Sequence, residues 1–295
     1  MMMSFPEPLP LTLCRGRLAA LAWGDAQAPV WLALHGWLDN AASFSRLAPR
    51  LATRLGVRIV ALDFRGHGLS RSAPEGADYA LWDYCHDLLD AMEELGVERA
   101  PLLAHSMGAA VACLIAAAFP ERTEKLILLD GLGSLSTPAI DTPAQLRKGL
   151  VSHRRPLSRP PRYPDLDTAI AARVAGGVTP IDFDTAAPLV ERNLALEEAG
   201  DVRLRSDSRL LKPSLVRFSP EQVNGILAAI VCPVLLIEGE SGILGERASA
   251  QQARRAVKHL TRHVMKGGHH LHLEKGVVDA VTEVIEADHQ TALPT

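Results

Sequence analysis

The stretch that most constrains this chain is residues 101–119, where an apolar run changes abruptly into an alanine-rich segment. The run at 101–104 is typical of a buried strand, and a helical pattern begins within three residues of its end. Small residues, Ala104 and Gly108, lie two positions either side of Ser106 and leave room for the two backbones to come close. The stretch therefore predicts a sharp strand-to-helix turn with Ser106 at the bend.

This turn is a variant of the G-x-S-x-G phrase, with Ala104 in the place of the first glycine. It would lift the Ser106 hydroxyl above the edge of the sheet. The N-terminus of the following helix, with its unpaired N–H groups and positive dipole, would then face charge that develops on a bound molecule. Ser106 is therefore a candidate nucleophile. The alternative is a serine that only caps a helix. The presence or absence of a candidate base and acid elsewhere in the chain distinguishes the two interpretations.

Short apolar runs alternate with helical patterns along most of the chain, which is typical of a parallel sheet covered by helices on both faces. Residues 9–14 and 17–23 predict an opening hairpin. Further strands are predicted at 30–34, 58–62, 101–104, 125–129, 233–237 and 262–265, and helices at 41–55, 79–95, 109–119, 246–260 and 277–288. The sequence therefore predicts an α/β fold.

Residues 131–230 differ from the rest of the chain. They contain no run that resembles a core strand, and proline-rich phrases separate their helical segments. We expect an inserted helical cap at 131–230, on a core built from residues 1–130 and 231–295.

Charge and composition argue against several classes of function. A formal net charge of −3 gives no attraction to nucleic acid, and no apolar run approaches the ~18 residues that a membrane span requires. The four cysteines are far apart and match no metal or redox spacing, which favours a reducing, cytoplasmic location. Residues 1–10 lack the basic start of a signal peptide.

The order of these landmarks resembles that of α/β hydrolases along nearly the whole chain. More narrowly, the phrases at 35–44, at the Ser106 turn, at 126–130 and at 205–210 are similar to those of the serine hydrolase-like proteins. The resemblance implies an α/β-hydrolase fold with a mostly parallel eight-stranded sheet, flanking helices and an inserted helical cap. It also implies a monomer or weak homodimer that hydrolyses small-molecule esters or related acyl compounds without a metal or cofactor.

A serine hydroxyl needs a base within hydrogen-bond reach to act as a nucleophile, and imidazole exchanges a proton near neutral pH. His269 is the candidate, because it follows a glycine pair after the last predicted strand, where a loop can lean towards Ser106. The resemblance implies a catalytic histidine in this loop and an acidic residue five positions later, matched here by Glu274. The competing bases are His35, His105, His270 and His272.

The third residue of a triad is a carboxylate that orients the imidazole. Most relatives would carry an aspartate in a G-x-x-D phrase after the strand at 233–237, but here that phrase ends in Gly242. Asp130, at the end of the strand after the Ser106 helix, is the expected replacement, and a turn-forming aspartate is the alternative interpretation of it. Glu240 and Glu238 are the alternative acids.

The oxyanion that forms during attack on a carbonyl needs two positioned donors. Met107, directly after the serine, is expected to supply one backbone N–H. Trp37 is expected to supply the other, because Gly36 lets the backbone turn inward. A purely packing role for the Trp37 side chain is compatible with this.

Together these residues predict a serine hydrolase that forms an acyl-enzyme from a carboxylic ester, a thioester or a lactone. Two alternatives stay open. One is carbon–carbon bond hydrolysis or cofactor-free perhydrolysis at the same site. The other is a nearly inert ligand-binding sensor. This alternative stays open because position 242 lacks the aspartate that would complete a triad in most relatives.

Overall fold

The computed structural model describes residues 7–157, 160–177, 179–196 and 201–291. Residues 1–6, part of the stretch interpreted as lacking a signal peptide, lie outside these ranges. The strands are β1 (Leu9–Leu13), β2 (Leu18–Trp23), β3 (Val30–Leu34), β4 (Arg58–Leu62), β5 (Ala100–His105), β6 (Thr123–Leu129), β7 (Arg162–Tyr163), β8 (Leu194–Leu196), β9 (Val202–Leu204), β10 (Val234–Ser241) and β11 (Leu260–Gly268). The α-helices are α1 (Leu47–Leu55), α2 (Asp83–Glu94), α3 (Met107–Ala118), α4 (Thr142–His153), α5 (Leu166–Gly176), α6 (Phe183–Asn193), α7 (Pro220–Ala229), α8 (Ala248–Ala256) and α9 (Val278–Thr291).

Eight of these strands form one sheet in the order β1-β2-β4-β3-β5-β6-β10-β11. The pairs β1–β2 and β2–β4 are antiparallel, and the other neighbours are parallel. The expected mostly parallel eight-stranded sheet, with its opening hairpin, is confirmed. Because the strands from β4 to β11 run the same way, their carboxyl ends meet at one edge, and the loops after β3, β5, β6, β10 and β11 converge there.

The central strands are buried on both faces, which explains their continuous apolar sequences. In β3, Leu32 and Leu34 join an apolar cluster with residues of α2, α3 and α7, whereas Trp31 and Ala33 join a second cluster with α1 and α9. The sheet is therefore held between two helical layers, as the sequence pattern predicted. Among the described helices, none is both long and apolar enough to span a membrane.

The helix predicted at 41–55 is in fact two helices. Asn40 accepts a hydrogen bond from the Ala42 N–H at 3.0 Å and caps a short 3-10 helix, Ala41–Phe44, after which α1 begins at Leu47. Phe44 and Leu47 are both fully buried. The apolar spacing continues across the break, so the sequence pattern did not reveal it.

The segment 131–230, for which we expected a helical cap without core strands, is not purely helical. Beside the α-helices α4 to α7, its described residues form an antiparallel three-stranded sheet in the order β7-β9-β8. Each of these strands has only two or three residues, most of them partly exposed, so no continuous apolar run marked them. A small separate apolar cluster packs α5 against α6 and contains Ala169, Ile170, Ala186 and Val190.

Candidate active site

The turn between β5 and α3 consists of one residue, Ser106. Its backbone has φ 51° and ψ −113°, a conformation that residues other than glycine adopt only when their surroundings enforce it. Gly108 is required beside it, because a Cβ there would overlap the carbonyl of Leu34 in β3. A Cβ on Gly131 would lie 2.8 Å from the Cα of Ser106. Close packing of strand, helix and loop therefore holds the serine at the sheet edge, with its side chain partly exposed.

The structure brings Ser106, His269 and Asp130 together in one chain of hydrogen bonds. His269 Nε2 lies 2.9 Å from Ser106 Oγ, and His269 Nδ1 lies 2.6 Å from Asp130 Oδ2. The three residues come directly after β5, β11 and β6. If Nδ1–H donates to the carboxylate, the lone pair of Nε2 faces the serine hydroxyl, which is the arrangement that general-base activation of a serine requires.

Asp130 is fully buried and is positioned by main-chain groups of the neighbouring strand and loop. Its carboxylate accepts hydrogen bonds from the N–H groups of Gly239 at 3.3 Å and Ile243 at 2.8 Å, in addition to its contact with His269. A Cβ on Gly242 would overlap this carboxylate. The glycine at 242 is thus the complement of the aspartate at 130, because both side chains would occupy the same space.

The two alternative acids lie elsewhere. Glu238 is buried in an ion pair, with Arg254 Nε 2.8 Å from its Oε1 and Arg262 Nη2 3.0 Å from its Oε2. Glu240 has an exposed side chain at the end of β10. The hydrogen bonds described for His269 involve neither glutamate.

The proposed oxyanion donors lie at the start of α3 and in the loop after β3. Met107 is the first residue of α3, so its N–H has no acceptor within the helix. Trp37 occupies a tight turn closed by a hydrogen bond of 3.2 Å from the Asp39 N–H to the Gly36 carbonyl. Because β3 and β5 are neighbours, these two segments flank the Ser106 turn. The indole N–H of Trp37 donates to the Leu210 carbonyl at 3.1 Å.

The competing histidines each have other hydrogen-bond partners. His35 accepts from the Phe64 N–H at 3.0 Å, and His105 donates through Nε2 to the His269 carbonyl at 2.8 Å. The Nε2 atoms of the other two histidines contact Asp39 Oδ2, at 3.0 Å for His270, and Ser43 Oγ, at 2.7 Å for His272. In the described contacts it is His269 that reaches the serine.

Glu274 has a structural position that the resemblance alone did not explain. Its Oε1 accepts a hydrogen bond of 2.8 Å from the N–H of Gly268, the residue before His269. The same loop turns at Gly267, whose φ of 129° is open to glycine and strained for other residues. Glu274 therefore stabilises the start of the loop that carries the candidate base.

Sequence reasoning missed the buried contacts of Asp39. Its carboxylate contacts His270 and lies 3.5 Å from His105 Nδ1. Burial acts to raise the pKa of Asp39, but His270 and His105 hold it well below its usual range. The sequence signal that could have revealed this cluster is the number of histidines beside Ser106 and in the loop that carries His269.

Buried histidines make the stability of the protein depend on pH. Burial lowers the pKa of His35 to about 4, of His67 to about 3 and of His105 to about 4, whereas an unfolded chain titrates its histidines near pH 6.5. Between pH 6.5 and 4 the unfolded state therefore binds more protons. The contribution to stability is complete above pH 6.5 and is lost as the pH falls towards the folded-state values.

We expect the free energy of unfolding to fall by roughly 2 kcal/mol per buried histidine at pH 5 relative to pH 7.5. Calorimetry should show a Tm lower by about 10 °C or more. His67→Asn should flatten this dependence, whereas the exposed His263→Gln should leave it unchanged. A Tm that stays constant from pH 7.5 to 5 would contradict the burial argument.

Comparison with known proteins places the chain in a family. The sequence model described as the alpha/beta hydrolase fold matches residues 29–276. Together with the sheet topology, this match shows that the chain belongs to the alpha/beta hydrolases, and it confirms the predicted fold class.

Within this family the chain is similar to the serine hydrolase-like proteins, as its motifs indicated. It is 34% identical to a serine hydrolase-like protein of Dictyostelium discoideum over 269 aligned residues. The alignment covers 87% of this chain and 74% of that protein. The crystal structure of a hypothetical protein from Pseudomonas aeruginosa PAO1 has a TM-score of 0.88 and 41% identity, over 97% of this chain and 100% of that one. A thioesterase domain from the curacin biosynthetic pathway has a TM-score of 0.76 and 26% identity, over 95% of this chain and 98% of that one.

Proposed function

We propose that this alpha/beta hydrolase is a serine hydrolase that cleaves a carboxylic ester, a thioester or a lactone of a small molecule through an acyl-enzyme. The observation that carries the proposal is the continuous hydrogen-bonded chain from Ser106 through His269 to Asp130, with separations of 2.9 and 2.6 Å. The similarity to serine hydrolase-like proteins and to a thioesterase domain supports acyl transfer as the reaction class.

In the proposed mechanism, Ser106 Oγ attacks the substrate carbonyl while His269 Nε2 takes the hydroxyl proton. Asp130 accepts from Nδ1–H and stabilises the imidazolium that forms. The N–H groups of Trp37 and Met107 stabilise the negative oxygen of the tetrahedral intermediate. His269 then protonates the departing alcohol or thiol, which leaves the acyl group on Ser106. Water attacks this acyl group with the same base and releases the acid.

We propose that residues 131–230 form a cap over this site, on a core of residues 1–130 and 231–295. Contacts from the segment to the loops at the carboxyl edge support this arrangement. The Trp37 indole reaches the Leu210 carbonyl, and Asn40 Nδ2 donates to the Leu189 carbonyl at 2.7 Å. Because these loops also hold a proposed oxyanion donor, we infer that the cap shapes the acyl pocket.

We also propose, from the resemblance to the serine hydrolase-like proteins, a monomer or weak homodimer that acts on a small molecule, and from the scattered cysteines, a cytoplasmic location. Carbon–carbon bond hydrolysis and perhydrolysis would use the same serine and base. A nearly inert sensor would keep the geometry without turnover. An experiment must therefore separate reaction classes as well as detect a reactive serine.

The proposal is tested with a fluorophosphonate probe and a substrate panel. We expect the intact protein to be labelled once per chain and Ser106→Ala not to be labelled, because the probe reacts with an activated serine. In the panel, hydrolysis of p-nitrophenyl esters and acyl thioesters should have a higher kcat/KM than cleavage of a 1,3-diketone or formation of a peracid from acetate and hydrogen peroxide. Failure to label the intact protein would favour the sensor, and a preference for the diketone would favour carbon–carbon cleavage.

A further inference from the structure

A second polar cluster lies beside the candidate active site, and the proposed hydrolysis makes no use of it. Asp39 comes from the loop after β3, His105 ends β5, and His270 comes from the loop after β11. All three are buried, and one nitrogen or oxygen atom of each lies within 4.8 Å of the corresponding atoms of the others. Asp39 Oδ2 lies 3.0 Å from His270 Nε2 and 3.5 Å from His105 Nδ1.

Protein hydrogen bonds do not satisfy this cluster. The His269 carbonyl can only accept, so His105 must carry its proton on Nε2, 2.8 Å from that carbonyl. The lone pair of His105 Nδ1 then faces a carboxylate oxygen, and Nδ1 has no hydrogen-bond partner among the residues that the structure describes. Within the same described part of the chain, Asp39 Oδ1 and His270 Nδ1 are also buried without a partner. A buried polar group left without a partner destabilises the fold, because it has lost its water and gained nothing in exchange.

The two acceptors, His105 Nδ1 and Asp39 Oδ2, face each other across 3.5 Å in a buried site. The guanidinium of Arg173 approaches Asp39 Oδ1 only to 3.9 Å, beyond hydrogen-bond reach. A positive ion between the carboxylate and the imidazole lone pair satisfies both acceptors at once.

We propose that Asp39, His105 and His270 form a binding site for a divalent transition-metal ion, specifically Zn²⁺. Two imidazole nitrogens and one carboxylate oxygen are a ligand set that suits Zn²⁺, whereas Mg²⁺ and Ca²⁺ prefer oxygen ligands. Tetrahedral bonds of about 2.0–2.1 Å set ligand atoms roughly 3.3 Å apart. The separations of 3.0 and 3.5 Å from Asp39 Oδ2 bracket that value. His270 becomes a ligand through Nε2 when its proton moves to Nδ1.

The second contact of His105 fits the same assignment. Histidines that bind metals commonly donate their other ring N–H to a carbonyl or carboxylate, which fixes the ring. His105 does this through Nε2, and its acceptor is the carbonyl of His269, the candidate base. The site is therefore connected to the base by this hydrogen bond and by the peptide bond from His269 to His270.

The position of the site gives the ion an expected effect on turnover. The rings of His105 and His269 have centroids 4.5 Å apart. A cation bound to His105 would repel the positive charge that His269 acquires when it takes the serine proton. Bound Zn²⁺ should therefore reduce ester hydrolysis reversibly, and a chelator should restore it.

The test measures binding directly, so it does not depend on the hydrolase proposal. Chelator-treated full-length protein is titrated with ZnCl₂ by calorimetry, and with CoCl₂ by visible absorption. We expect one ion per chain and the intense visible bands of tetrahedral Co²⁺. His270→Gln and Asp39→Asn should weaken binding by at least 100-fold. Arg173→Gln removes a positive charge near Asp39 without removing a ligand, and it should tighten binding several-fold.

Two variants serve as matched controls. His272→Gln changes a buried histidine of the same loop whose Nε2 contacts Ser43, and His263→Gln changes an exposed one. Both should bind Zn²⁺ as the unmodified protein does. If a ligand variant fails to fold, X-ray absorption of the Zn²⁺-loaded unmodified protein decides: two imidazoles, one carboxylate oxygen and a water in the fourth tetrahedral position are expected. No stoichiometric binding, or binding unaffected by His270→Gln and Asp39→Asn, overturns the site even if Ser106 is fully active.

Discussion

Replacing His269 by alanine is expected to lower kcat for an activated ester by about a million-fold, the size of the loss when a serine triad loses its base. His269 Nε2 is the described atom that lies within hydrogen-bond distance of Ser106 Oγ, at 2.9 Å. Without it the hydroxyl keeps its proton and is a poor nucleophile. The measurement is the initial rate of p-nitrophenyl acetate hydrolysis, together with the rate of fluorophosphonate labelling.

The neighbouring histidines provide the control for this result. His272→Gln removes a buried imidazole from the same loop but leaves the Ser106 contact in place, so its kcat should stay within about tenfold of the original. Circular dichroism and thermal unfolding verify that each variant is folded. A loss below a hundredfold for His269→Ala, with a larger loss for His270→Gln, would show that the base has been assigned to the wrong residue.

Replacing Asp130 by asparagine is expected to lower kcat by about 10⁴-fold with little change in fold, as in other triads in which an amide replaces the orienting carboxylate. The N–H groups of Gly239 and Ile243 donate to different oxygens of Asp130, so the single amide oxygen of the new side chain could accept from only one of them. An amide cannot stabilise the imidazolium as a carboxylate does, and its NH₂ group can hold His269 in the wrong tautomer. The measurement is kcat for p-nitrophenyl acetate, with circular dichroism as the check on folding.

Glu240→Gln is the matched control, because it neutralises an exposed acid on the neighbouring strand that does not contact His269. Its kcat should stay within about twofold of the original value. Equal and mild losses from both substitutions would mean that neither residue orients the base. A large loss from Glu240→Gln alone would show that the end of β10 supplies the acid.

Much of this architecture could be predicted because single, local features determine it. The small residues around Ser106 leave room for a sharp turn, and strands buried on both faces produce continuous apolar runs such as that of β6. The departure at position 242 was visible as a glycine in place of an acid, and Asp130 was the acidic residue at the carboxyl end of the next strand in the sheet.

Other features could not be predicted because they depend on contacts between distant residues. Asp39 has no unusual local sequence, and its buried contacts appear only when the end of β5 and the loop after β11 bring His105 and His270 to it. The three short strands of the 131–230 segment pair over few residues and bury little, so their sequence differs hardly at all from a loop. The roles of Ser106, His269 and Asp130 in catalysis stay predictions until the substitutions are made.

The overlap between Asp130 and a side chain at position 242 also limits how such an enzyme can be altered, by evolution or in the laboratory. A chain with aspartate at both position 130 and position 242 has no room for the second carboxylate unless the loop after β10 moves. Relocating the acid from one strand end to the other therefore requires two coupled changes, one that vacates a position and one that fills the other. Made one at a time, they pass through a variant with two crowded carboxylates or through one with no acid, and we expect each of these single variants to be less active than either end point.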